Sequence, residues 1–395
     1  MSRKVVLPLI IISQFLCTSL WFAGNAVIPE LVKSFHLASN AAGHLASSVQ
    51  FGFITGTFIY AYLAIADRFP PSRVFFISAS LASLANLAVV FYATNINSLL
   101  SLRAITGFFL AGIYPVGMKI ASDHFGKDLG KVLGFLVGAL VLGTALPHLV
   151  NNFSGALSWS LVFTFTSALC MIGGTLMLLI PKGRYNLSVN KKLTFNIPAI
   201  FRDKVFRSAA FGYFGHMWEL YTFWAFVPFI VLTWLTANPV HNFNIRLLSF
   251  VIIAAGSLGC VLSGYLSQRY GNGKIAFIAL SLSCICCFLS PFIHLMPPLV
   301  FIAYMLFWSS TVIADSPMFS SLVAQNAPVQ FKGTALTLVT CIGFSITILS
   351  IEMINALKDI LTPVYLFLFL IPGPLLGLIA MKNNLHPLVK KKLDL

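Results

Sequence analysis

Apolar runs of about 20 residues recur along the whole chain, each closed by a short polar stretch. That is the length a helix needs to cross the hydrocarbon core of a bilayer. Twelve such runs can be marked, at approximately 6–31, 42–66, 73–93, 98–121, 130–150, 158–180, 207–235, 247–267, 275–295, 298–323, 333–356 and 361–381. The pattern predicts an all-α membrane protein of twelve transmembrane helices. The first run, within "MSRKVVLPLIIISQFLCTSLW", opens like a secretory leader, with basic residues ahead of an apolar stretch. Its apolar character continues to about Leu31, too far for a leader core, and no small-residue cleavage site interrupts it. It reads as a first membrane helix that is retained.

A single long polar connection, Pro181 to Phe206, divides the pattern into two halves of six runs. The expected organisation is a bundle over residues 1–180, a cytoplasmic linker over 181–206 and a second bundle over 207–395. Basic residues of the linker alternate with Leu193, Phe195, Ile197, Ile200 and Phe201, a pattern open to a surface-lying segment or a plain tether. The halves also repeat. "LAIADRFPPSR" follows run two and "GYLSQRYGNGK" follows run eight; run four ends with Pro115 and run ten with Pro317; runs five and eleven open at Gly130 and Gly333. These landmarks lie 201, 202 and 203 residues apart, the register of an internal duplication.

Composition narrows the class. The chain of 395 residues is 58% hydrophobic and 9% charged, whereas a water-facing surface takes a soluble protein to about 25% charged residues. The formal charge of +15 is a topology signal. Of the 25 lysines and arginines, 21 fall on connections that share a side with the N-terminus, only Lys33, Arg246 and Lys358 on the other, and Arg103 within a run. Basic residues mark the cytoplasmic side, so both termini are expected there. A nucleic-acid partner is not needed to explain the charge. The seven cysteines all lie in apolar runs; Cys284, Cys286 and Cys287 read as small packing residues, and no metal site or disulfide framework is expected. No G-x-x-x-x-G-K-[ST] occurs, so any accumulation must draw on an ion or substrate gradient. Neither a cofactor nor a catalytic constellation is expected.

The duplicated loop carries a family resemblance. In the major facilitator superfamily of secondary transporters, the loop between spans two and three reads G-x-x-x-D-[RK]-x-G-[RK]-[RK]. Here Asp67 and Arg68 match, Arg73 supplies a following basic residue, and Leu63 and Pro70 stand where glycines are expected. The second copy has Gly264, Arg269 and Gly271, with Gln268 in place of the acid. "RAITGFFLAGIYP" in span four is similar to the family's arginine-and-glycine motif, at Arg103 and Gly107. Span five, with Gly130, Gly134, Gly138 and Gly143, lacks the G-P-x-x-G-G of the family's antiporters, which tilts the reading toward symport or uniport. The resemblance covers the chain. It implies two pseudo-symmetric six-helix bundles, a cavity lined by helices one, four, seven and ten, and a conformational latch at Asp67, Arg68, Arg73 and Arg269.

Ionisable groups at membrane depth are functional candidates, since each costs at least about 2.5–3.5 kcal/mol to insert. Arg103, Glu219 and Asp315 lie in runs four, seven and ten, which are cavity helices in the resembled fold; Glu352 and His148, near outer run ends, read as interfacial. On a helix of 3.6 residues per turn, positions seven and eleven apart share a face. Gln14, Trp21 and Asn25 have that spacing, as do Arg103, Leu110 and Tyr114, and Trp308, Asp315 and Phe319. Such stripes suit a pocket that encloses an organic body and orients a charged end, although aromatic stripes also serve plain packing. In "GHMWEL", His216 and Glu219 sit at i and i+3, near Tyr213 and Trp224. A lone imidazole and carboxylate are too few for a metal; a buried structural pair or a proton site is the choice.

The reading is a monomeric secondary transporter of the bacterial inner membrane that works by alternating access, as a proton-coupled symporter of a small organic anion or zwitterion. Expected substrate contacts are Gln14, Trp21, Asn25, Arg103, Tyr114, Trp224, Trp308 and Asp315, with Arg103 holding the carboxylate. Expected coupling residues are His216, Glu219 and Asp315. The rival transport readings are an exporter of amphipathic compounds and uptake of a larger chelate such as a siderophore. Outside transport, the rival is a receptor or sensor on a transporter scaffold.

Overall fold

In the computed structural model, residues 3–38, 40–125, 129–153, 159–181, 183, 197–328 and 332–382 are described, and they form helices and short connections. The helices are α1 (Arg3–Thr18), α2 (Ile28–Phe35), α3 (Ala41–Tyr62), α4 (Ile65–Arg68), α5 (Pro71–Tyr92), α6 (Ile96–Leu110), α7 (Tyr114–Phe125), α8 (Leu129–Phe153), α9 (Trp159–Met177), α10 (Ile197–Ile200), α11 (Lys204–Ala237), α12 (Ile245–Tyr270), α13 (Asn272–Leu289), α14 (Pro298–Ala314), α15 (Ser316–Asn326), α16 (Lys332–Leu357), α17 (Pro363–Leu366) and α18 (Pro372–Lys382). Most of the linker, including Leu193 and Phe195, lies outside the described residues.

Among the described residues, ten helical stretches are long and apolar enough to cross a membrane. The two remaining runs explain themselves. Run one is α1, a turn, a short 3-10 helix at Asn25–Val27, and α2. Run two is α3, whose 22 residues span about 33 Å but are diluted by small and hydroxyl-bearing side chains and by His44 and Gln50. Large apolar side chains such as Phe51, Phe91, Leu258 and Leu376 lie outermost, where lipid solvates them. The protein is a multi-pass integral membrane protein.

The chain divides into two compact units, Met1–Val132 with Ala139–Lys192, and Leu133–Gly138 with Leu193–Leu395. In the first unit α3 packs on α6, and α9 packs on both α1 and α5. Backbones meet directly at the α3–α6 crossing: a Cβ on Gly52 would overlap the Ala104 carbonyl, and one on Gly107 the Val49 carbonyl. Small residues permit such close approach between helices in a bilayer. In the second unit α11 packs on α16 and α18, and α12 on α14.

Three helix breaks position the polar residues. At the end of α1, Thr18 Oγ1 bonds the Gln14 carbonyl at 2.8 Å and Ser19 Oγ the Leu16 carbonyl at 2.7 Å. Hydroxyls bonded back this way compete with the helix ladder. The other breaks fall at Ala111–Ile113, before Pro115, and at Asp315, before Pro317. Proline lacks the N–H that would continue the ladder and clashes with the carbonyl four residues back. Each predicted stripe therefore crosses a break. Gln14 is separated from Trp21 and Asn25, Arg103 from Tyr114, and Trp308 from Phe319, so the shared-face geometry of an unbroken helix does not apply to them.

Candidate functional site

Among the described residues, each unit contains a buried polar cluster that includes ionisable side chains. In the first, Arg103 of α6 is fully buried, and its hydrogen bonds among the described residues go to an amide and to main-chain carbonyls. Its Nη1 donates to Asn86 Oδ1 at 2.8 Å, and its Nη2 to the carbonyls of Leu20 and Trp21, both at 2.7 Å. The ring of Phe163 lies 5.9 Å from the guanidinium carbon. Asn86 is held in turn by the Phe163 carbonyl at 3.0 Å, Ser167 Oγ at 2.9 Å and Thr166 Oγ1 at 3.2 Å. The carbonyls released where α1 breaks thus find their donor in Arg103. Irregular backbone at membrane depth persists only where such partners exist. The break is held further by Asn25 Nδ2 on the Ala42 carbonyl at 3.0 Å and Asn151 Nδ2 on the Ala26 carbonyl at 2.7 Å.

The other expected contacts of this unit are dispersed around that cluster. Trp21 packs on Phe53, ring centroids 4.9 Å apart. Gln14 is fully buried, its amide without a hydrogen-bond partner among the described residues, and its Oε1 occupies the space a Cβ on Gly117 would fill. Tyr114 is buried at the start of α7. His148 is buried within α8.

The second cluster joins α11 to the helices around it. His216 Nδ1 lies 2.8 Å from Asp315 Oδ1, with both side chains fully buried. His216 Nε2 and Asp315 Oδ2 have no hydrogen-bond partner among the described residues. The imidazole is flanked by Tyr213 and Phe319, at 6.1 and 6.0 Å between centroids. Glu219 has a different set of neighbours. Trp308 Nε1 donates to its Oε1 at 2.7 Å, Cys287 Sγ to the same oxygen at 3.3 Å, and Ser283 Oγ to Oε2 at 2.9 Å. The structure thus brings His216 to Asp315, and Glu219 to Trp308. Trp224 packs edge-on against Tyr221 at 5.3 Å.

At the foot of the first unit, Asp67 Oδ1 meets Lys119 Nζ at 3.0 Å, and Asp123 Oδ2 lies 3.9 Å from the same ammonium. Arg68, Arg73 and Arg269 are exposed, and the Arg269 guanidinium lies over Tyr270 at 5.3 Å. Sequence reasoning missed four partners. Asn86 was visible as a polar residue amid run three, and Lys119 counted only as a topological charge. Cys287 read as a packing residue, and Ser283 drew no reading.

These features define a polytopic transporter: spans in two units, broken helices, and polar groups buried at the breaks. A sequence model of the Major Facilitator Superfamily matches residues 10–351. The chain belongs to that superfamily, whose members are transporters of small molecules and not enzymes. It is 24% identical over 360 residues to "Inner membrane metabolite transport protein YgcS" of Escherichia coli (strain K12), covering 81% of this chain and 77% of that one. It is 30% identical over 170 residues to "Niacin transporter NiaP" of Acinetobacter baylyi, a match that spans 37% of each protein. In fold it is similar to the proton:xylose symporter XylE solved with 6-bromo-6-deoxy-D-glucose, with TM-score 0.76, 14% identity and 97% of both chains covered.

Proposed function

We propose that this protein takes up a small organic anion or zwitterion by proton-coupled symport, with the His216–Asp315 pair as the coupling site. The carrying observation is that pair: an imidazole and a carboxylate 2.8 Å apart, fully buried, on α11 and at the α14–α15 break. Beyond their mutual contact, neither ring nitrogen of His216 and neither carboxylate oxygen of Asp315 has a hydrogen-bond partner among the described residues, so the pair keeps positions from which a proton can enter or leave. Histidine and carboxylate chains inside membrane proteins serve as proton relays. Binding a proton changes the charge of the pair, and the cost of that charge depends on whether water reaches it, which is the dependence that coupling needs.

The substrate class draws support from the Acinetobacter relative named for niacin, an aromatic carboxylate. The Escherichia coli relative named for the inner membrane supports that location. A monomer working by alternating access, with both termini cytoplasmic, belongs to the same proposal. The domain limits of 1–180, 181–206 and 207–395 belong to the same proposal.

Reconstituted vesicles test it. A thermal-shift screen of small carboxylates, nicotinate included, identifies the class, since ligand at 100 times its Kd stabilises by about 2.7 kcal/mol. With the substrate in hand, Asp315→Asn should still exchange it across the membrane but fail to concentrate it under an imposed pH gradient. Wild-type accumulation by that variant would remove the pair from coupling.

A further inference from the structure

We infer that Glu219 is a positioning residue whose carboxyl clasps Trp308 and thereby sets Asp315 against His216, rather than a carrier of the transported proton. This rests on reading His216–Asp315 as the coupling pair and assigns the second buried acid a different job.

Among the described residues, each hydrogen-bond partner of Glu219 is a group that can donate to it. Oε1 receives the Trp308 indole N–H at 2.7 Å and the Cys287 thiol at 3.3 Å, and Oε2 receives the Ser283 hydroxyl at 2.9 Å. The donors come from α13 and α14, so one side chain of α11 ties three helices together. An indole N–H can only donate, and at full burial it needs an acceptor. The ring is wedged between neighbours as well: Phe223 at 4.8 Å, Tyr304 at 5.7 Å and Phe367 at 6.3 Å between centroids. Tyr304 Oη donates to the Cys286 carbonyl at 2.6 Å, a second tie between α13 and α14 at the same level.

Register supplies the consequence. His216 and Glu219 are three residues apart on α11; Trp308 and Asp315 are seven apart, at the two ends of one stretch leading into the break. Positions so spaced share a helix face. The bonds Glu219–Trp308 and His216–Asp315 are thus successive rungs between the same two elements. Fixing the first fixes the height and rotation at which α14 delivers the second. A carrier, by contrast, needs an atom not already taken up by a donor: both Glu219 oxygens have donors, whereas the polar atoms of Asp315 and His216 have no hydrogen-bond partner among the described residues beyond their mutual contact.

The test uses the full-length protein in vesicles with an imposed pH gradient and the substrate found by the carboxylate screen. Glu219→Gln retains Oε1 as acceptor for Trp308 but cannot release a proton. It should accumulate substrate within about threefold of wild type, with the pH profile unmoved, whereas Asp315→Asn should flatten that profile. Glu219→Leu and Trp308→Phe should each slow transport without moving the profile. Their combination should be no slower than the worse single variant, because both break one interaction. Glu219→Gln that exchanges but does not accumulate, with a flattened profile, overturns the inference and makes Glu219 the carrier. Multiplied slowing in the double variant overturns the clasp. Should neither Glu219→Gln nor Asp315→Asn alter the profile, the coupling reading fails, and the Glu219–Trp308 double-mutant cycle decides the clasp on its own.

Discussion

Arg103 brings a permanent positive charge into a segment that offers it no acid. A guanidinium cannot shed its proton to escape burial, so its hydrogen bonds must offset the lost water. Asn86 and the Leu20 and Trp21 carbonyls take its two terminal nitrogens at 2.7–2.8 Å. Hydrogen bonds to charged groups contribute about 1.5–3 kcal/mol each. Arg103→Lys keeps the charge but not the fork that reaches three acceptors. It should cost about 2 kcal/mol or more of stability, read as a lowered unfolding midpoint in detergent. An unchanged midpoint with substrate binding lost would instead return Arg103 to the carboxylate-binding role its position suggested. The sequence marked Arg103 as special because charge at membrane depth is rare. Its partners were hidden, because main-chain carbonyls have no residue signature and the break that frees them comes from local hydroxyl bonding. For the same reason "GHMWEL" pointed to His216 and Glu219 as a pair: spacing along one helix reports which groups are neighbours on it, not which groups face them from other helices.

At the scale of elements, the duplication read from the sequence corresponds to real breaks. Pro115 and Pro317 each follow a helix end and open a short second helix, α7 or α15. The first copy of the duplicated loop departs from its expected glycines, and the backbone registers it. Ala64, next to Leu63, adopts φ 52°, whereas the second copy stays helical through Gly264 and Tyr265 and turns only at Gly271, φ 82°. A non-glycine residue in the left-handed region costs about 1–2 kcal/mol. Ala64→Gly should therefore stabilise the protein by about 1 kcal/mol, visible as a raised unfolding midpoint. A fall in the midpoint would mean that lost backbone entropy outweighs the relieved strain. Gly52→Val is the opposite case. Its side chain would be driven into the Ala104 carbonyl, so α3 and α6 would have to separate, and the variant should lose folded yield. Run lengths and the proline register were legible; the turn inside run one was not, since its apolar composition continues through the break.

At the scale of the whole molecule, Asp67 is the test of the latch. Its contact with Lys119 is partly exposed, at 39% and 23% of the side-chain surfaces, so little stability depends on it. Asp67→Asn should slow transport while shifting substrate affinity by less than tenfold, about 1.4 kcal/mol. Lys119→Met should reproduce the defect. Normal turnover in both variants would remove this contact from the conformational cycle.

The long helix α11 has a mechanical consequence. Its 34 residues, with Pro228 inside the longer arm, extend up to about 51 Å, well beyond the roughly 30 Å of a hydrocarbon core. Asp203 caps one end through the Val205 and Phe206 amides, and near the other Trp234 is stacked on Phe301 at 4.7 Å. His216 divides the rod unequally, about 18 Å from Lys204 and about 32 Å from Ala237. If the contact with Asp315 acts as a fulcrum, a swing of about 10° carries the near tip about 3 Å and the far tip nearly twice as far. A proton arriving at that pivot would then be read out as leverage, with most of the travel on the long arm.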